Sequence, residues 1–274
     1  MWPISGATDV QPPQHWARAE PIANRLQDGI LPHNGNMKSC LKNTAFAACP
    51  LLIVAALAQT SFRITPLHPL EEVRTAALAA KPPVESGTFR KPDLVDLATL
   101  GAGIHFDIRY ATHNNFLGEP LYSEARAFLQ RPAAEALLRA AETLRAQGFG
   151  LLIHDAYRPW YVTKMFWDAT PDNLHGFVAD PQKGSKHNRG CAVDLSMYYL
   201  KSGKPVVMPS GYDEMTPRAF PDYKGGSEEE RRLRQTLRKA MEKKGFTVDK
   251  SEWWHFDYRD WPRYPIINLA FDKI

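Results

Sequence analysis

From Pro132 to Gln147 the apolar positions Ala133, Leu137, Ala140, Ala141 and Leu144 recur every three or four residues, the stripe of a helix with one buried face. Pro132 presets its first turn, and Gly148 stands just past its end, where helices favour glycine. A strand is predicted to follow at Phe149 to His154, and a second helix at Trp160 to Asp168. The last helix is the best marked. Ser227 and Glu230 have the spacing of a capping box, Leu233, Leu237, Ala240 and Met241 form its stripe, and Gly245 ends it. Elsewhere the period falls to two. Ile104, Phe106, Ile108 and Tyr110 alternate with His105, Asp107 and Arg109, and Trp254, Phe256 and Tyr258 oppose His255, Asp257 and Arg259. Both patterns predict half-buried strands, the second running from Glu252 to Tyr258. Ala192 to Leu195 reads as a further short strand, with Ala192 and Asp194 on one face and Cys191 and Val193 on the other. Strands and helices mix through short connections without a repeated long βαβ unit. The expected class is therefore α+β, one domain with helices packed on a largely antiparallel central sheet.

The first part of the chain has a different texture. At 274 residues, 44% hydrophobic and 23% charged, the composition is that of a soluble globular protein with one good-sized core and extra sequence. The expected organisation is 1–36, an upstream extension; 37–58, a signal peptide; 59–93, a linker or loosely attached arm; and 94–274, the catalytic domain. The signal reading rests on Met37, the charges of Lys38 and Lys42, the apolar stretch Ala45 to Leu57 and the A-x-A pattern Ala56, Leu57, Ala58. It places the start at Met37 and the mature protein in the periplasm or outside the cell, the alternative being the cytoplasm. A buried core helix is the competing reading of Ala45 to Leu57, and Pro50 interrupts it. The stretch is too short to span a bilayer, so no stable membrane anchor is expected. Pro, Ala and charge dominate from Thr60 to about Pro92, hence the expected arm. Cys40 and Cys49 fall inside the signal, which leaves Cys191 alone and excludes a disulfide framework. A net charge of +4 without a Lys/Arg stripe interleaved with aromatics excludes nucleic acid as the expected partner, and the cluster Arg231 to Arg238 reads as a surface helix.

The candidate chemistry sits in two short runs, SKHNRGCAVD from Ser185 to Asp194 and EWWH from Glu252 to His255. His187, Asp194 and His255 are the residue types of a catalytic zinc site with three protein ligands and one open position, one ion per chain. Zinc lowers the pKa of bound water to roughly 7, so a neighbouring carboxylate, Glu252, can act as its base. Gly190 lets the backbone pass where a side chain would obstruct it. A cysteine nucleophile, Cys191 with His187 or His255, is the weaker reading, because nothing around Cys191 marks an activated thiol.

Four separated segments then resemble one known family. RYATHNNFLG (Arg109 to Gly118), HDAYRP (His154 to Pro159), SKHNRGCAVDL and EWWH, in this order and spacing, are similar to the D-alanyl-D-alanine dipeptidases of the VanX type, within the hedgehog/DD-peptidase fold group. The likeness covers about Leu94 to Tyr264. It implies that His187, Asp194 and His255 hold zinc, that Glu252 is the catalytic base, and that Arg158 stabilises the tetrahedral intermediate. From its residue type alone, Arg158 could equally be a surface arginine before Pro159. The resemblance further implies that Tyr110, Ser185 and Asp213 hold the ammonium and backbone of a small D,D-dipeptide, with no zinc role for His113, His154 or His175; Asp155 reads equally as an orienting partner for Arg158 or as an acidic turn residue. The implied reaction is hydrolysis of D-alanyl-D-alanine to two D-alanines. The rivals are a D,D-carboxypeptidase or endopeptidase acting on peptidoglycan stem peptides, and a non-catalytic zinc module, against which Glu252 and Arg158 both speak.

Overall fold

A computed structural model of the chain describes residues 62–101 and 103–274, and in it the long apolar runs become adjacent inner strands of one sheet. The expected extension and signal peptide, with Cys40 and Cys49, lie outside the described residues. In chain order the regular elements are α1 (Leu70–Ala79), β1 (Leu94–Asp96), β2 (Ile104–Phe106), β3 (Phe128–Gln130), α2 (Arg131–Arg145), β4 (Phe149–Asp155), α3 (Trp160–Ala169), β5 (Ala192–Tyr199), α4 (Glu228–Glu242), β6 (Phe246–Val248) and β7 (His255–Tyr258). The main sheet runs β2-β4-β5-β7-β6, and β1 pairs with β3 in a small second sheet. Only β2 and β4 are parallel; the other pairs are antiparallel, so the α+β expectation holds.

The helices form where the stripe and caps predict them. In α2 the residues Ala133, Leu137, Ala140 and Leu144 are buried, and Gly148 beyond it has a left-handed backbone (φ 87°) that other residues adopt only with strain. In α4 Ser227 and Glu230 close both halves of the capping box, and Leu233, Leu237, Ala240 and Met241 are buried. These two helices pack on each other, α2 also on β4 and α4 on β6. Cys191, Val193, Leu195 and Met197 join the core, which leaves Ala192, Asp194 and Ser196 on the opposite face of β5.

Three strands differ from expectation, and each difference serves the site. The alternation from Ile104 to Tyr110 gives a strand of three residues, at the end of which Phe106 is 37% exposed. An edge strand with one partner has little to extend it, so the chain turns in a single 3-10 turn at Arg109–Ala111, which buries Tyr110. Glu252 is not in a strand. It opens a turn in which the His255 N–H donates to the Glu252 carbonyl (3.4 Å), and β7 begins only at His255. On β4, Ile153 faces Leu195 but the next pair is Asp155 with Asp194, so His154 is an extra residue in a β-bulge. The bulge turns Asp155 to the face that carries Asp194.

In the stretch expected to be a linker or loose arm, the described residues 62–93 are tied down at several points. The N–H groups of Ile64 and Leu67 donate to the carbonyls of Phe116 and Ala169, and α1 packs on α3 with Val73 and Ala77 buried. Glu85 pairs with buried Arg189 and accepts from the Ile266 N–H, and the Arg90 N–H donates to the Arg263 carbonyl. Composition missed this because the contacts are all long-range. No helix among the described residues is long and apolar enough to cross a membrane.

Candidate active site

Asp194 and His255 stand directly opposite each other on β5 and β7, so antiparallel pairing alone brings two of the expected ligands together. His187 arrives from the turn before β5. The Ser185 Oγ accepts the His187 N–H (3.2 Å), and the Asn188 side chain accepts from the Ser185 N–H (2.7 Å) while donating to the Arg158 carbonyl (2.9 Å) and the Thr163 hydroxyl (2.8 Å). Gly190 closes the turn with φ 65°, and a Cβ there would meet the Leu94 side chain at 2.5 Å. The left-handed backbone and the close approach of Leu94 on β1 and Gln130 on β3 together favour glycine here, and the obstruction expected of a side chain comes from those strands.

The three ligand atoms form a near-equilateral triangle. His187 Nε2 is 3.1 Å from His255 Nδ1 and 3.3 Å from Asp194 Oδ1, and His255 Nδ1 is 3.1 Å from that same oxygen. The outer ring nitrogens fix the tautomers. His187 Nδ1 faces the Ala156 carbonyl at 2.6 Å and His255 Nε2 faces Asp257 Oδ1 at 2.8 Å; both partners only accept, so both nitrogens carry the proton. Two imidazole lone pairs and a carboxylate oxygen therefore converge with no proton between them, and Asp194 Oδ1 is buried without a hydrogen-bond donor. A metal cation fits this arrangement. A tetrahedral ion with ~2.0 Å bonds sets its ligands roughly 3.3 Å apart, and the triangle matches it. Among the described residues no other histidine, cysteine or acidic cluster has this spacing. His113, His154 and His175 instead lie against the carbonyls of Gly118, Asp107 and Trp167.

Around the triangle the remaining expected residues are brought together. Glu252 lies 3.8 Å from His255 Nδ1. Burial pushes its carboxyl well above the usual carboxylate range; the His255 ring opposes this and the nearby Asp194 carboxylate adds to it. Arg158 is buried, its Nε and Nη2 donate to Asp155 Oδ2 at 2.9 and 2.8 Å, and Nη2 lies 3.6 Å from Asp194 Oδ2. Asp155 also accepts from the Tyr122 hydroxyl (2.6 Å). The Tyr110 hydroxyl donates to both oxygens of Asp213 (3.1 and 2.9 Å). Asp213 is buried in a left-handed backbone conformation (φ 59°), and its carboxyl is pushed up to about 8, by burial first and by the Asp194 charge next. Tyr110, Arg158, Ser185, Asp213 and Glu252 line one cavity of about 210 Å³ with the three ligands. Cys191 is buried in the core and its thiol is pushed up to about 12 by burial, which removes it as a nucleophile.

Sequence reasoning missed several neighbours. Asp257 supports His255, and its placement on the His255 face of the alternation was the available signal. Tyr122, which braces Asp155, and Tyr212, whose hydroxyl donates to Asp194 Oδ2 at 3.1 Å, carry no local signal because loops deliver them. The aromatic walls Phe116, Phe166 and Trp254 were assigned no role in the site.

A convergent two-histidine, one-aspartate centre, flanked by a half-buried glutamate and a buried arginine, has the make-up of a metal-dependent hydrolase. A family model described as D-ala-D-ala dipeptidase matches residues 90–273. The chain belongs to this family and is a zinc metallopeptidase. It is 34% identical over 179 residues to a D-alanyl-D-alanine dipeptidase of Escherichia coli (strain K12), covering 65% of this chain and 91% of that one. With the D-alanyl-D-alanine dipeptidase of Enterococcus faecium it shares 38% identity over 191 residues, covering 62% of this chain and 92% of the relative. A solved D,D-pentapeptidase, VanY, aligns at 15% identity over 50% of this chain and 75% of that chain with a TM-score of 0.32, a likeness too slight to argue from.

Proposed function

We propose that this protein hydrolyses the free D-alanyl-D-alanine dipeptide to two D-alanines, with one zinc held by His187, Asp194 and His255. The observation that carries the reading is the single small cavity that joins the three converging ligands to Glu252, Arg158 and the Asp213–Tyr110 pair. Zinc, when bound, polarises the scissile carbonyl and acidifies the attacking water. Glu252 takes the proton of that water and passes it to the leaving amine as the C–N bond breaks. Its burial favours the protonated form it must hold between the two steps. Arg158, aimed by Asp155, stabilises the oxyanion that develops on the carbonyl. Asp213, with Tyr110 and Ser185, receives the α-ammonium and backbone of the substrate. The Asp213 carboxylate is buried, which supports a ligand that ends in a free ammonium over an acylated stem peptide. Zinc content measured together with D-alanine release from D-alanyl-D-alanine tests the proposal. One zinc per chain and activity lost to a chelator are expected, and undiminished turnover by metal-free protein would overturn it.

A further inference from the structure

Asp194 has two oxygens with different surroundings. Oδ1 faces the two imidazoles, whereas Oδ2 accepts the Tyr212 hydroxyl at 3.1 Å and has Arg158 Nη2 at 3.6 Å. Arg158 is committed to Asp155 by its two shorter bonds. Resting on the metal site proposed above, we infer that Tyr212 is a positioning residue for that metal: its hydroxyl holds Asp194 Oδ2 and so presents Oδ1 to the ion with His187 and His255. Without that donor the carboxylate is free to turn toward Arg158 about its Cβ–Cγ bond, which withdraws Oδ1 from the triangle.

The ring is built not to move. Tyr212 is buried, with Trp254 edge-on at 5.6 Å, Tyr110 at 6.2 Å, and the His154 ring stacked on it at 4.7 Å. His154 is in turn held near Asp107, whose Oδ2 lies 3.5 Å from its Nδ1. This gives a role to the bulged residue of β4, which is no ligand itself. The backbone supplies the rest. Successive side chains of an extended segment point apart, but the left-handed turn at Asp213 lets Tyr212 reach Asp194 while Asp213 reaches Tyr110. Tyr212 lines a separate cavity of about 550 Å³ with Asp107, His154, Ser196 and Trp253, and does not line the one assigned to substrate. Its influence therefore passes through the metal ligand and not through substrate contact.

Tyr212→Phe keeps every ring contact and removes only the donor. Zinc affinity by chelator competition, the Tm of the metal-free protein, and kcat and KM at saturating zinc are the readouts. Supporting residues of metal ligands are typically worth ~10–100-fold in metal affinity, and a rise of that order in the zinc Kd is expected. The Tm of the metal-free protein should stay near the wild type's, turnover lost at limiting zinc should return with excess zinc, and KM should not change. Tyr157→Phe, which removes a buried hydroxyl bonded to the Leu269 carbonyl, serves as the matched control and should leave zinc affinity unchanged. A Tyr212→Phe protein that binds zinc as the wild type does overturns the inference alone. A wild-type protein that binds no zinc overturns the metal site beneath it as well.

Discussion

Glu252 and Asp155 are carboxylates of one site, and their neighbours assign them different work. Asp155 accepts from Arg158 twice and from Tyr122, which commits its oxygens to orienting that guanidinium. Glu252 has His255 at 3.8 Å and burial that favours its protonated form. Glu252→Gln should therefore keep its zinc while turnover falls by ~10²–10⁴-fold, the usual worth of a general base. His187→Ala should lose zinc itself, and metal analysis beside kcat separates the two outcomes. Arg158→Lys keeps the charge but not the planar fork, and a kcat loss of ~10²–10³-fold is expected, comparable to that of an oxyanion donor. Asp213 carries a pH signature. In the empty site its carboxyl holds the proton up to about 8, against an ordinary 3.8, so affinity for an ammonium substrate should rise as pH climbs toward 8. Stability should move the other way. Between those two values the folded state binds a proton that the unfolded state has lost, so stability falls across this window as pH rises. Asp213→Asn should remove that slope, raise Tm at pH 8 relative to wild type, and raise KM. Thermal melts and initial rates from pH 5 to 9 check both.

At the scale of elements, what could be read in the sequence was what local periodicity determines. The stripes and caps of α2 and α4 marked those helices to within a residue or two, because a buried face and its capping groups are local properties. The meeting of Asp194 and His255 was legible for the same reason, since the alternation around each puts it on one face of a strand and the two strands pair. The bulge at His154, the turn that replaces the strand at Glu252 and the early end of β2 were not legible. Each depends on strand register and on partners far away in sequence. The capping box tests how independent an element is from the site. Ser227→Ala should cost ~1 kcal/mol in denaturant unfolding, the typical worth of such a cap, and leave zinc affinity and kcat unchanged.

On the scale of the whole molecule, residues 62–89, ahead of the family match, are part of the fold. The match starts at residue 90, yet Val73 and Ala77 are buried on α3, and Glu85 closes over Arg189 in the turn that carries His187. Removing residues before 90 should expose that apolar face, leave the Arg189 guanidinium buried without its carboxylate, and lower Tm by several degrees. Differential scanning calorimetry of the zinc-loaded proteins would register it. The function proposed above calls for a substrate that is small and free at its amino end. The ratio of kcat/KM for free D-alanyl-D-alanine to that for an N-acylated peptide ending in the same two residues tests this most directly. A ratio far above one, abolished by chelation, is predicted; equal or better turnover of the acylated peptide would contradict the account.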